Sequence, residues 1–156
     1  MQSTIRRGVK LRELIALLHM GREPVGRKVV RTAEFVSWSR GLDPELRDKV
    51  AGAIEKIVDR GPTLGRPDVG TIKGSRLHKL KEARIDRGTR VMFAFDSNRN
   101  VVMLLGGDKT GKWNRWYPPM IRQAERLYQH HERSIGKEAA WLNRRTAGRT
   151  TTARSR

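Results

Sequence analysis

Residues 43–60 form the clearest helical segment of the chain. Their apolar side chains recur at spacings of three and four, which is the period of an amphipathic helix. These apolar residues are Leu46, Val50, Ala53, Ile54, Ile57 and Val58. Asp43 supplies a capping carboxylate, Pro44 suits the first helical turn, and Gly61 ends the pattern. We predict a helix over residues 43–60 whose apolar face lies in the core.

Shorter elements precede this helix. Residues 28–32 form a β-prone run, and Phe35, Trp38 and Leu42 mark one face of a short helix that Thr32 would cap. Near the start of the chain, Leu11, Leu14, Ile15 and Leu18 have the spacing of another short amphipathic helix. A start of translation at Met20 is an open alternative for this basic extension.

The pattern changes to a strand period after a Gly/Pro-rich loop at residues 61–70. Three runs follow, at residues 77–85, 89–96 and 101–106, and short turns separate them. Short turns between successive strands predict an antiparallel meander. The second run is the most apolar and is predicted to be the central strand. After a loop over residues 107–116, Pro118 and Pro119 open a helix that can cover the sheet.

The order of elements predicts an α+β fold. An N-terminal strand and a helix pair are followed by an antiparallel β-meander and a closing C-terminal helix. We divide the chain into a basic extension at residues 1–28, a domain at 29–132 and a basic tail at 133–156. The tail has no apolar periodicity after residue 142 and is predicted to be largely disordered there.

The charge of the chain indicates a polyanionic partner. The net charge is +18, and residues 71–117 carry 11 Lys and Arg against 4 Asp and Glu. Residues 29–70 carry seven of each, whereas residues 1–28 and 118–156 are again basic. No run of apolar residues is long enough to span a membrane, so we expect a cytoplasmic protein with no membrane partner. The absence of cysteine excludes disulfides and thiolate metal sites.

Three motifs carry a resemblance to a known family. They are TIKGSR at residues 71–76, RVMFAFD at residues 90–96, and GGDK at residues 106–109 followed by RWY at 115–117. In this order they resemble the HigB-like, phage-derived branch of the RelE/ParE toxin superfamily, over residues 29–132. Ala83 stands where the family usually has leucine. The resemblance implies a RelE-like fold and the toxin of a type II toxin–antitoxin pair. It also implies cleavage of mRNA on the ribosome and binding to an antitoxin of the helix-turn-helix type.

RNA cleavage without metal needs a base near the ribose 2′-OH, cations on the phosphate and an acid for the leaving oxygen. Acidic residues are few in residues 71–117, so we expect neither a metal site nor a cofactor. The resemblance implies Arg90 as the phosphate-binding arginine, with Lys109 and Tyr117 beside it. The structural alternatives are an ion pair with Glu82 for Arg90, an exposed loop lysine for Lys109 and helix-start packing for Tyr117.

His78 is a further candidate for catalysis, because its ordinary pKa suits a base near neutral pH. Otherwise it is an exposed strand histidine. The side chains predicted to contact RNA are Lys73, Arg76, Lys81, Arg84, Lys112 and Arg115. Alternation along the strand places Lys81 and Arg84 on opposite faces, so both can join one site only if the strand is irregular.

Two other functions fit the same residues. ParE-like relatives share the fold and inhibit DNA gyrase, which would leave mRNA intact and cleave DNA. A basic domain that binds nucleic acid without chemistry would show salt-sensitive binding and no toxicity.

Overall fold

A computed structural model describes residues 26–148 and confirms the α+β fold. Its strands are β1 (Val29–Arg31), β2 (Val69–Thr71), β3 (Lys81–Arg84), β4 (Thr89–Phe95) and β5 (Val101–Asp108). Its helices are α1 (Ala33–Arg40), α2 (Pro44–Arg60) and α3 (Trp113–Ala147), with a short 3₁₀ turn at Gly61–Thr63. Within residues 26–148, no helix is long and apolar enough to cross a membrane.

The two N-terminal helices begin where the sequence predicts. The Thr32 side chain accepts a hydrogen bond from the Phe35 amide at 3.1 Å, and the Asp43 carboxylate accepts one from the Leu46 amide at 2.9 Å. Both bonds satisfy amides that have no partner inside the helix. Gly61 ends α2 with a φ of 58°, a conformation that costs glycine little.

One mixed sheet runs through the domain in the order β1-β5-β4-β3-β2. β4 is its middle strand, which confirms the prediction from its apolar sequence. The pairs β2–β3, β3–β4 and β4–β5 are antiparallel, as a meander requires, whereas β1 joins the edge of β5 in parallel. The connection from β1 to β5 therefore contains all the other strands and both N-terminal helices.

A separate core lies on each face of the sheet. Val91 and Phe93 of β4 pack with Phe35, Ile54 and other residues of α1 and α2. Met92 and Ala94 point the other way and pack with residues of α3, including Ala124 and Tyr128. The alternation along β4 thus divides the sheet into an α1/α2 face and an α3 face.

Polar contacts fix α3 against the far end of β4. His131 Nε2 lies 2.9 Å from the buried Asp96 carboxylate. Glu132 accepts hydrogen bonds from the Ser97 amide at 3.0 Å and from the Tyr128 hydroxyl at 2.7 Å. These bonds hold the middle of the helix at the β4–β5 turn, and every residue from 136 to 148 is exposed.

The structure corrects several element boundaries. β2 lies partly inside the predicted loop at residues 61–70, because its three residues pair with β3 and carry too short an apolar pattern to be recognised. β3 begins at Lys81 rather than residue 77, since residues 73–79 form turns. β5 continues to Asp108 by pairing with β4 up to Thr89.

The ends of α3 also differ from the prediction. The helix begins at Trp113, five residues before Pro118, so both prolines lie inside it. It continues through residues 143–147, where the sequence predicted disorder. In this stretch Arg144, Arg145 and Ala147 have high helix propensity. The remaining tail, the predicted helix at residues 11–18 and most of the basic extension lie outside the described residues. The domain boundary at residue 132 stays a prediction.

Candidate phosphate-binding site

Three charged side chains share the α3 face of the sheet. Arg90 alternates with Met92 on β4, and the register of β3 pairs Arg84 with Arg90 and Glu82 with Met92. Glu82, Arg84 and Arg90 therefore project from neighbouring strands toward the start of α3. Glu82 and Arg90 are each only 7% exposed. Gly70 on β2 leaves room for this group, because a Cβ there would lie 3.2 Å from an Arg84 guanidinium nitrogen.

Arg90 is held by backbone carbonyls. Its Nη1 donates to the Asp86 carbonyl at 2.7 Å and to the Thr89 carbonyl at 2.9 Å. Its buried Nε has no hydrogen-bond partner. The ion pairs found among residues 26–148 do not include the one between Arg90 and Glu82 that the sequence left open. The guanidinium is thus oriented by neutral groups and retains a free donor.

Tyr117 joins the site from the first turns of α3. Its hydroxyl donates a hydrogen bond of 2.7 Å to Glu82 Oε2. Burial, together with this bond and the negative charge of Glu82, raises the pKa of Tyr117 to about 12, although Arg90 opposes the shift. Tyr117 is consequently a neutral phenol at physiological pH, able to donate a proton.

Lys109 follows β5 and is almost completely buried, with 1% of its surface exposed. Its Nζ lies 2.8 Å from the ring centroid of Trp113, which is itself 58% exposed. Burial lowers the pKa of Lys109, the positive charges of Arg90 and Arg84 lower it further, and Glu82 opposes them. Lys109 is therefore no exposed loop lysine, and it belongs to the same electrostatic cluster.

A β-bulge in β5 places Lys109 on this face. Phe93 pairs with Met103 and Met92 with Leu105, so β5 has one extra residue between these pairs. Before the bulge, odd-numbered Met103 faces α1 and α2. After it, odd-numbered Gly107 faces Trp116 of α3. The bulge reverses the alternation and brings Lys109 to the side of Arg90.

The cluster has more positive than negative charge. Arg84, Arg90 and Lys109 surround one carboxylate, that of Glu82. The Arg84 Nε lies 3.5 Å from Glu82 Oε1, which is close enough for an ion pair, yet the geometry gives no hydrogen bond. Two buried guanidinium donors are thus unsatisfied, and unsatisfied buried donors are rare in proteins. An anion with several oxygens, such as a phosphate, would satisfy both.

The other predicted site residues have different positions. His78 is exposed in a turn before β3, with no hydrogen bond or ion pair to the cluster among the contacts of residues 26–148. Lys81 projects from the opposite face of β3 to Arg84, as the alternation predicted. Four of the predicted cations are exposed at the rim, around the β2–β3 loop and the start of α3. These are Lys73, Arg76, Lys112 and Arg115.

Sequence reasoning missed Glu82 and Trp113 as members of the site. Glu82 lies two residues before Arg84, so the period-two pattern of a strand already places both on one face. The contact between Trp113 and Lys109 has no sequence signal, since it depends on where α3 begins. In the part of the chain that the structure describes, no group of His, Asp or Glu could hold a metal ion.

The fold and the site define a class: a small α+β domain with a basic, partly unsatisfied cluster between a meander and a closing helix. The family model described as "Phage derived protein Gp49-like (DUF891)" matches residues 37–129. The chain belongs to this Gp49-like family, which confirms the predicted resemblance to the HigB-like branch of the RelE/ParE toxin superfamily.

Two curated relatives agree with this membership. HigB2 of Mycobacterium tuberculosis, named as a toxin, is 40% identical over 99 residues, covering 61% of this chain and 49% of HigB2. HigB3 of the same organism is 41% identical over 99 residues, covering 62% of this chain and 86% of HigB3. The chain thus spans about half the length of HigB2.

Similar solved structures include a RelB-RelE antitoxin-toxin complex from Methanococcus jannaschii. It has 13% identity, a TM-score of 0.45, and covers 56% of this chain and 98% of that chain. A YoeB/ParE toxin from Agrobacterium tumefaciens has 20% identity and a TM-score of 0.44. The match covers 52% of this chain and 96% of the toxin chain.

Proposed function

We propose that this protein is the toxin of a toxin–antitoxin pair and acts as an endoribonuclease on mRNA at the ribosome. Membership of a family that includes the HigB toxins supports the first part. The observation that carries the second part is the pair of unsatisfied buried donors on Arg84 and Arg90 beside Lys109. A phosphodiester of RNA supplies the anionic oxygens that this cluster lacks.

Arg90 has the central role in binding the scissile phosphate. Its position is fixed by two carbonyls, so it pays little reorganisation energy when the phosphate gains negative charge in the transition state. Arg84 and Lys109 add positive charge on the same side. Lys109 reaches the phosphate only after Trp113 moves from its ammonium group.

Cleavage requires one proton to be removed and one to be supplied. In the proposed step, the ribose 2′-oxygen loses its proton, attacks phosphorus and forms a 2′,3′-cyclic phosphate, while the 5′-oxygen leaves with a proton. Glu82 is the carboxylate within the cluster and is the proposed proton acceptor. Tyr117 carries a proton at neutral pH and is the proposed donor to the leaving oxygen, once its hydroxyl turns from Glu82 to that oxygen. No metal and no cofactor take part in this scheme.

The proposed partners are mRNA, the ribosome and a cognate antitoxin, with a cytoplasmic location. Sequence similarity to the HigB toxins supports the proposal of an antitoxin partner. The high positive charge supports an encounter with the ribosome, because association with a polyanion is accelerated by electrostatic attraction.

Mapping of mRNA ends after brief expression tests this function. Wild-type protein is expected to arrest growth and to produce new 5′-hydroxyl ends within coding regions. Arg90→Lys keeps a positive charge but lacks the planar fork, so it should reduce cleavage strongly while the protein stays folded. Arg87→Lys, at an exposed position in the turn that precedes β4, is the matched control and should cleave normally. Intact mRNA under full growth arrest would refute the proposal, and accumulated cleaved DNA would point to gyrase.

A further inference from the structure

A groove of about 820 Å³ begins at the phosphate-binding site and runs along α3. One wall is the β2–β3 loop, with Lys73 and Arg76. The other wall is one face of α3, which includes Arg122 and Arg126. Glu82 and Tyr117 line the groove at its inner end, so the groove and the site share a boundary. The helical wall from residue 114 to residue 129 is ~22 Å long.

The groove has four cations and two carboxylates, and the carboxylates already have partners. Glu82 accepts from Tyr117. Glu125 accepts from the Ser75 hydroxyl at 2.8 Å and from the Arg76 amide at 2.7 Å. Burial raises the pKa of Glu125, but these hydrogen bonds outweigh burial and lower it on balance. In contrast, Arg122 and Arg126 are exposed and belong to no ion pair among residues 26–148.

Glu125 also gives the groove a fixed shape. Its carboxylate joins the β2–β3 loop to α3, and the Ser75 hydroxyl in turn accepts a hydrogen bond from the Leu77 amide at 3.0 Å. The two walls are therefore tied together before any ligand binds. Such preorganisation reduces the entropy that is lost on binding.

We propose that this groove binds the single-stranded RNA that flanks the scissile phosphate, with Arg122 and Arg126 on its backbone. The inference rests on the proposed function and assigns its substrate path. Continuity with the phosphate site favours a polynucleotide, because one strand would occupy both. The exposed ring of Trp113 at the inner end supplies a surface on which a base can stack. An acidic peptide would use the arginines but has no need of that ring.

Charge reversal on α3 tests the proposal. The variant Arg122→Glu/Arg126→Glu is compared with Arg133→Glu/Lys137→Glu, which changes the charge equally at the same spacing, on exposed positions outside the groove. Binding of the full chain is measured by fluorescence anisotropy with a labelled single-stranded RNA of about 12 nucleotides, a length within the range of single-strand binding sites. The RNA carries 2′-O-methyl riboses, so that it cannot be cleaved.

We expect the groove variant to bind at least about tenfold more weakly, with the slope of log affinity against log salt reduced by about 1.4, since each phosphate contact contributes ~0.7 on single strands. The control variant should keep its affinity within about twofold of wild type and its salt slope within ~0.3. Circular dichroism and thermal midpoints verify that both variants are folded. Equal losses in the two variants, or no loss in the groove variant, would overturn the proposal.

Two further measurements separate the alternatives. Polyglutamate that binds more tightly than the RNA, and does so through Arg122 and Arg126, would assign the groove to an acidic peptide and overturn the inference. Intact cellular mRNA combined with arginine-dependent RNA binding would refute the endonuclease and leave the groove assignment standing. Arg90-dependent mRNA cleavage with normal RNA binding by the groove variant would support the endonuclease and refute the groove assignment.

Discussion

The Lys109 ammonium lies 2.8 Å from the ring centroid of Trp113, and Trp113 covers it on the solvent side of the site. A cation over an aromatic ring is stabilised by the ring's electron density, more so when water is excluded. Lys109 is 1% exposed, whereas the indole that covers it is 58% exposed. This single ring therefore controls access to a buried cation beside Arg90.

Removal of that ring should expose Lys109. In Trp113→Ala, we expect acylation of Lys109 by an amine-selective reagent to become severalfold faster, because the lowered pKa already favours the reactive neutral amine. Peptide mass spectrometry after timed labelling measures the rate. Lys112 is exposed in the wild-type protein and serves as the internal control. Equal Lys109 rates in both proteins would show that Trp113 is not the barrier.

The two tyrosines should resist ionisation in the folded protein. The pKa of Tyr117 is about 12, and burial together with the hydrogen bond and charge of Glu132 also raises the pKa of Tyr128. At pH 10.5 an unfolded tyrosine, with a pKa near 10, is mostly ionised. We therefore expect little tyrosinate absorbance at 295 nm from the folded chain at this pH, and a large increase on denaturation.

The same shift determines a dependence of stability on pH. Because the folded pKa of Tyr117 exceeds the unfolded value, its contribution is complete below pH ~10 and is lost as the pH rises toward 12. Tyr117→Phe removes this group, so the fall in unfolding free energy between pH 10 and 12 should be shallower in the variant. If the unfolding free energies of Tyr117→Phe and wild type fall in parallel between pH 10 and 12, the raised pKa of Tyr117 is contradicted.

Glu82→Gln should destabilise the protein by about 3 kcal/mol, because three neighbouring cations lose the carboxylate that offsets their repulsion. Urea unfolding at neutral pH measures the change. Adding Arg84→Gln to this variant removes one of the cations and should restore part of the loss. If the losses of Glu82→Gln and Arg84→Gln simply add in the double variant, repulsion among the cations is not the cause of the destabilisation.

Gly106→Ala should cost about 1–3 kcal/mol, the usual effect of overpacking, because the new Cβ would overlap the Trp38 ring on the α1/α2 face. Gly52→Ala is the matched control: nothing lies within 4 Å of its new Cβ in α2. There the substitution should stabilise the protein by ~0.5–1 kcal/mol through helix propensity. Thermal or urea unfolding distinguishes the two, and an unchanged stability for Gly106→Ala would show that Trp38 repacks freely.

Local signals in the sequence predicted most of the fold. The capping residues Thr32 and Asp43 act on neighbours three positions away, so their effect is visible without tertiary structure. The alternation of Val91, Met92 and Phe93 follows the strand period and separates the two faces of β4. The sequence did not predict β2, because its strand conformation depends on pairing with β3 and not on its own three residues.

By itself, the sequence determined the order of elements, the central strand, and the family motifs that contain Arg90, Lys109 and Tyr117. These features follow from local periodicity and turn chemistry, which act over a few residues. Tertiary structure alone decided which side chains meet. A bulge in β5 moved Lys109 to the face of Arg90, and an early start of α3 placed Trp113 over its ammonium. One extra residue in a strand reverses every side chain beyond it, and no single-strand pattern records that reversal.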